Sequence, residues 1–234
     1  MNASHLFLQN NLKDTTMKKI ITTTAFAFLL VASISSCKEQ KEAEGAKEVA
    51  QAEAIASEYT VNTEKSTINW IGAKPTGTHT GTITLSEGSI SVVDKNVQAG
   101  SFTIDMNSID ATDVEGKMKE NLEAHLKGTV EGKEGDFFNV NKYPTGAFKI
   151  TKVEGENGKV MVSGNLTLLD KTNNVTFPAT VSFPENTMFL KSESFKIDRT
   201  QWGINYGSKN IFDNLGDKFI NDEIELTVEL HAAM

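Results

Sequence analysis

The chain has 234 residues, 38% hydrophobic and 23% charged, with a formal net charge of −8 at pH 7 and one cysteine. The acidic balance excludes the basic footprint that nucleic acid requires and a polybasic membrane patch. The lone cysteine excludes a disulfide framework, so a folded domain here must be held by its core.

In chain order, MNASHLFLQNNLKDTT (Met1 to Thr16) has no long apolar run. A complete signal follows it. Lys18 and Lys19 are the positive start, Ile20 to Val31 is mostly apolar, and Ala32, Ser33, Ser35 and Ser36 lead to Cys37. That order is a secretory signal, and the run is shorter than the roughly 20 residues of a spanning helix. The expectation is that translation starts at Met17. Small residues running straight into a cysteine resemble the bacterial lipoprotein signal, with Ile34 where leucine is commoner. The resemblance implies cleavage before Cys37, attachment of lipid to it, and attachment to a membrane through the lipidated Cys37. The location it implies is the cell envelope, as an outer-membrane lipoprotein facing periplasm or cell surface. An ordinary signal with a chance cysteine is the plainer alternative. KEQKEAEGAKEVAQAEAIASE (Lys38 to Glu58) lacks aromatic residues and cannot bury enough surface to offset chain entropy, which makes it a polar tether. Its first lysine and glutamate also resemble the surface-export signals of some Gram-negative lineages. The expected organisation is 1–36 as start-site extension and signal, 37–58 as lipidated cysteine and tether, and 59–234 as one folded domain.

The domain alternates with period two. Phe102, Ile104 and Met106 share one face of SFTIDM. Val175, Phe177, Ala179, Val181 and Phe183 share one in VTFPATVSF, and Ile224, Leu226, Val228 and Leu230 one in EIELTVEL. Alternation at this length predicts half-buried antiparallel strands. Further strands are expected at Thr67 to Ile71, Gly81 to Leu85, Ser89 to Val93, Gly146 to Val153, Lys159 to Leu169 and Met188 to Asp198. Turn signals stand at Ser86 (SEG), Gly155 (GENG), Asp170 (DKTNN) and Pro184 (PEN). Eight or so strands spaced in this way suggest a sandwich or a barrel. EGKMKENLEAHLKG (Glu115 to Gly128) places Met118, Leu122 and Leu126 four apart, a short amphipathic helix ended by Gly128. Its stripe is read as a lid on the barrel end. A second short helix is expected near Asn210 to Asp217.

Several stretches resemble the YceI-like family of bacterial secreted and periplasmic proteins. GTHTGTITLSEGSI (Gly77 to Ile90) resembles its early strand and hairpin. GDFFNVNKYPTGAFKI (Gly135 to Ile150) resembles its Phe-Phe and Tyr-Pro-x-x-x-Phe motif. GNLTLLDKTNNVTFPATV (Gly164 to Val181) is similar to its Gly-x-Leu-Thr hairpin, and FKIDRTQWGINYG (Phe195 to Gly207) to its Asp-Arg-x-x-Trp-Gly motif. The departures are a lengthened KGTVEGKEGDFF link, Asn139 where aspartate is common, and Asp170 where glycine is usual. The resemblance implies an all-β fold: an eight-stranded antiparallel lipocalin-like barrel with one or two short helices capping it or lying between strands. It also implies an elongated apolar interior that binds long isoprenoid chains, such as quinone-type lipids or their precursors. A barrel of this size is either filled by side chains or holds one small ligand.

On that reading the apolar lining candidates are Trp70, Phe102, Ile104, Met106, Phe137, Phe138, Phe148, Leu166, Phe177, Phe195 and Trp202. Phe137 and Phe138 are adjacent, so in an extended chain they point opposite ways. Each tryptophan carries an N–H that needs a partner, which suits the barrel mouth. Arg199 is a candidate for a pair with Asp198 or another carboxylate, or for contact with a polar head. His79 is a candidate head-group or rim residue, with a solvent-facing strand position as its alternative. No two histidines show ligand spacing, so no metal is expected. Asp105, Asp110 and Asp113 lead into the helix, where acidic residues suit its positive end. Without a nucleophile elbow, a His-Glu-x-x-His or a phosphate loop, neither an enzyme nor a cofactor other than a bound isoprenoid is expected. The expected function is a membrane-anchored carrier or reservoir for a long-chain amphiphilic lipid. The alternative is a surface or periplasmic interaction lipoprotein with a solid core. A homodimer is an admissible assembly.

Overall fold

The structure is a computed structural model that describes residues 55–234. Cys37, the signal, the Met17 start and nearly all of the tether lie outside the described residues.

Twelve strands and one helix follow in order: β1 (Ser57–Val61), β2 (Thr67–Lys74), β3 (Gly77–Ile83), β4 (Leu85–Val93), β5 (Asn96–Asp105), β6 (Asp110–Ala111), α1 (Gly116–Lys127), β7 (Thr145–Glu156), β8 (Lys159–Leu168), β9 (Lys171–Ser182), β10 (Thr187–Ser192), β11 (Phe195–Asp198) and β12 (Glu223–Ala233). Eight of them, β1, β4, β5, β7, β8, β9, β10 and β12, pair in that order, and β1 pairs back onto β12. All pairs are antiparallel, so the sheet is a closed eight-stranded barrel, and closure removes its free edges. The β2–β3 hairpin widens one end. Glu225 to Glu229 of β12 pair with β2, and only Ala232 and Ala233 pair with β1. Chain alternation thus becomes wall: Phe102, Ile104, Phe177, Val181 and Leu230 all turn inward and are buried.

The differences from expectation have local causes. Ser86 to Gly88 is not a turn. It lies inside β4, where the register shifts between Leu85 and Glu87, and such a bulge bends a strand. Gly88 is there for space: a Cβ on it would stand 2.9 Å from Phe102 and 2.8 Å from Val61. The stretch Met188 to Asp198 is two strands, because β10 pairs with both β9 and β12, whereas β11 pairs with β12 alone. Strand β1 carries only Tyr59 and Val61 inward, too short an alternation to stand out, and Ser57 and Glu58 already pair with Val92 and Ser91.

Helix α1 ends at Gly128, whose φ of 66° is a left-handed cap. Leu122 and Leu126 pack against the core, but Met118 is 64% exposed. No acidic residue lies in the first turn. Asp105 instead caps the short turn Met106–Ser108, Asp110 pairs with Lys119 at 2.8 Å, and Asp113 bonds to β3. Between Asn210 and Asp217 there is no α-helix, only turns leading into a 3-10 turn at Gly216–Lys218. A further 3-10 turn at Arg199–Trp202 is capped by Asp198, which accepts from the Thr200 amide at 2.9 Å.

Two glycines make room for inward aromatic rings. Gly81 pairs with Trp70 across β2 and β3, and a Cβ there would collide with the Asp110 carbonyl of β6 as well as with the indole. Gly164 of β8 lies against Phe148 of β7, and a Cβ there would collide with that ring. The bulky ring on one strand therefore demands the missing side chain on its neighbour.

Candidate functional site

The upper half of the barrel encloses a cavity of about 450 Å³. Helix α1 and the segment from Ile204 to Asn221 frame its mouth, where they contribute Leu122, His125, Leu126, Tyr206 and Ile220. The walls come from inward positions of β2, β5, β7, β8, β9, β11 and β12. Phe102, Phe148, Phe177 and Phe195 run as a line of rings, with centroids 6.3, 5.8 and 4.4 Å apart, the last pair stacked. Ile150, Val162, Leu190 and Leu230 close the floor. One inward step further down, Ile90, Val92, Met188 and Ala232 are buried and take no part in the lining.

Ten of the eleven lining candidates face this cavity: Trp70, Phe102, Ile104, Met106, Phe137, Phe138, Phe148, Leu166, Phe177 and Phe195. Trp202 does not. It is 2% exposed, lies behind the wall, and its Nε1 donates to the Leu166 carbonyl at 3.0 Å. Its N–H found a strand carbonyl, which makes it a packing residue. Phe137 and Phe138 do not point to opposite sides. Their segment is turn rather than strand, Asn139 has φ 45°, and both rings reach the cavity.

Arg199 lines the mouth wall but has no free head for a ligand. It is 1% exposed and donates to the carbonyls of Asn221 (3.0 Å), Ile204 (2.6 Å) and Ile220 (3.1 Å), with Asp222 Oδ1 at 3.4 Å. Its carboxylate partner is thus Asp222 rather than Asp198. Burial pushes its guanidinium below the ordinary value, opposed by Asp222 and Asp198. The role is to tie the mouth segment to β12. His79 stands at the rim, half-buried, with Nδ1 2.9 Å from Asp113 Oδ2. Slight burial pushes the Asp113 carboxyl up, but the Thr80 amide and His79 outweigh it and hold it below its usual value of 3.8.

Residue patterns gave no warning of four rim groups. His125 Nε2 lies 2.7 Å from Asp136 Oδ2, and its ring meets Phe137 and Tyr206 edge-on at 5.1 and 5.0 Å. Its spacing from Leu122 and Leu126 was the available signal. Tyr206, Lys74 and Lys218 complete the rim. Among the described residues, the ionisable lining groups are Lys74, His79, His125, Arg199, Tyr206 and Lys218, with no carboxylate among them. The nearby carboxylates Asp113, Asp136 and Asp222 are engaged by His79, His125 and Arg199. Among the described residues, no three His, Cys, Asp or Glu side chains converge on a metal position.

A closed antiparallel barrel of eight strands around an apolar interior is a lipocalin-like architecture. The chain belongs to the YceI-like domain family, which matches residues 59–232. Its fold is similar to that of BcnA from Burkholderia cenocepacia, with TM-score 0.57 and 22% identity over 74% of this chain and 99% of that one. It is also similar to a polyisoprenoid binding domain from Saccharophagus degradans implicated in plant cell wall breakdown, with TM-score 0.53 and 14% identity over 75% and 97%. The UPF0312 protein of Pseudomonas aeruginosa is 35% identical over 97 residues, 41% of this chain and 42% of that protein, so the match spans less than half of that relative.

Proposed function

We propose that the barrel binds the apolar chain of an amphiphilic lipid of isoprenoid or quinone type and serves as a carrier or reservoir. The polar head sits at the mouth beside His79, Lys74 and Lys218. The observation that carries this reading is the cavity itself: about 450 Å³, apolar on its walls and polar only at its rim. Ligand pockets span roughly 300–1,000 Å³ and combine apolar walls with a few polar groups in this way. The polyisoprenoid-binding neighbour supports the same ligand class. The site offers walls and a rim but no nucleophile–base pair, which fits binding rather than catalysis. The lipoprotein-like signal supports a cell-envelope location, with Cys37 lipidated and holding the barrel at a membrane.

The test is to extract the purified full chain with solvent and identify copurified lipid by mass spectrometry. An amphiphile in near-stoichiometric amount supports the reading. Lipid-free protein whose melting temperature no isoprenoid raises would sink it in favour of an interaction lipoprotein. Binding at a hundredfold excess over Kd should stabilise by about 2.7 kcal/mol. For the anchor, Cys37→Ser should move the protein from membranes to the soluble fraction, and retention on washed membranes would refute it.

A further inference from the structure

We infer that the cavity sets a limit on chain length: it takes an apolar chain of about three to four isoprene units, or a straight chain of similar length, and leaves any excess outside. This rests on the lipid-binding reading and adds a measurable bound to it.

The depth is the same on three strands. The lining runs from Lys74 to Ile68 on β2, from Leu168 to Val162 on β8 and from Ile224 to Leu230 on β12, six residue steps each time. At about 3.3 Å per step this is about 20 Å along a strand. With barrel strands tilted about 40°, it is about 15 Å along the axis. An extended polypeptide advances about 3.3–3.6 Å per three backbone atoms, so a hydrocarbon zigzag advances about 1.1–1.2 Å per carbon. The axial depth therefore holds about 13 in-line carbons and the longer path along a strand about 17, which bracket three to four isoprene units at four in-line carbons each. The volume supports the lower end of that range, about three units, since each unit brings five carbons with its methyl branch. A cavity of about 450 Å³ holds about 15 groups of roughly 30 Å³, the size of a water and close to that of a methylene.

The floor is a plug, not a constriction. Under Val162 and Leu190 lie Ile90 and Met188, each 1% exposed, with Val92, Ala232, Tyr59 and Val61 around them. Beyond them a second pocket at the β4–β5 and β7–β8 turns is lined by Val97, Val153, Val160 and Val181, and the close-packed layer between the two pockets leaves no spare volume to thread a chain through. A longer chain must stop at Leu190 and leave its remainder at the mouth.

The experiment titrates lipid-depleted full chain with prenyl alcohols of two, three, four and nine isoprene units, read by intrinsic fluorescence, since Trp70 lines the cavity. Each newly buried methylene is worth about a fourfold gain in affinity. Affinity should climb at least about tenfold from two units to three and level off by four, with nine units within about threefold of four. Leu190→Ala should move the plateau to longer chains and Leu190→Trp to shorter ones. The filling variant keeps the test open if the truncated one fails to fold. A continuous rise through nine units, or a plateau that ignores both substitutions, overturns the length limit while leaving lipid binding intact. No affinity at any length overturns the limit together with the lipid-binding reading beneath it.

Discussion

At the lower end of the barrel the strands are joined by tight hairpins, and at the upper end mostly by long excursions. Asp94 and Lys95 turn β4 into β5 with φ of 49° and 61°, and Asn157 and Gly158 turn β7 into β8 with φ of 56° and 78°. Positive φ at both central residues matches the twist of flanking strands and holds them together. Val97 and Val181 line a second, more polar pocket at the lower turns, while inward side chains from these strands meet in a layer of Ile90, Val92, Met188 and Ala232 that lines neither pocket. Above it, residues 106–144 and 199–222 connect strands through α1, short turns and loops. These segments cap the barrel from its rim without filling it. The same eight strands and the same alternation thus give a closed layer and, above it, an apolar cavity. The two ends also differ in how their strands are tied.

The comparison can be broken most sharply at Arg199. Arg199→Met leaves the carbonyls of Ile204, Ile220 and Asn221 and the Asp222 carboxylate without their donor. The expected loss is about 3–5 kcal/mol in a urea titration. A loss below 1 kcal/mol would show that the mouth segment is held by something other than this cluster.

Truncation should cost more in the plug than in the wall. Met188→Ala opens a void in a closed region and is expected to cost about 2–5 kcal/mol in the lipid-free protein. Phe195→Ala removes a larger side chain, yet one that already borders open space. Its cost should fall short of the roughly 3–5 kcal/mol of a buried phenylalanine in a filled core. Equal normalised losses at both sites would mean that the upper half is filled as well. Gly164→Ala sharpens the point, since the new methyl must push on the Phe148 ring. It is expected to destabilise by about 1–3 kcal/mol, and Phe148→Leu on the same background should recover part of that by making room.

The smallest effect concerns the rim and pH. The Asp113 carboxyl is held below its usual 3.8 in the folded protein. As pH falls, the unfolded chain therefore takes up the proton first. The contribution of Asp113 is fully present above its unfolded value and is lost as pH drops through the lower folded one. The site is half-exposed, so less than about 1 kcal/mol is at stake. Asp113→Asn should remove that increment at neutral pH and flatten the acid limb of the stability curve below pH 3.8, with little change in the plug. An unchanged acid limb would show that His79 and Asp113 do not stabilise the rim.

Sequence alone determined the walls and the helix. Period-two alternation in Ser101 to Met106, Val175 to Phe183 and Glu223 to Leu230 assigns inward faces, because a strand offers only two sides. Gly128 ends α1 because a left-handed residue follows the last turn cheaply only when it lacks a Cβ. Ten lining residues could be named on the same logic and the family resemblance. Tertiary structure alone decided the rest. Trp70 and Trp202 are the same residue type, but one lines the cavity and the other sits behind Leu166, since a turn at Arg199–Trp202 carries the second out of the strand pattern. His125, Tyr206 and Phe137 are far apart in the chain and meet only because α1 folds over the rim. Above all, the cavity and the closed layer beneath it share one alternation. Whether inward side chains leave a void depends on their summed volume against the separation of facing strands, which strand number, tilt and stagger fix and no single strand's alternation reveals.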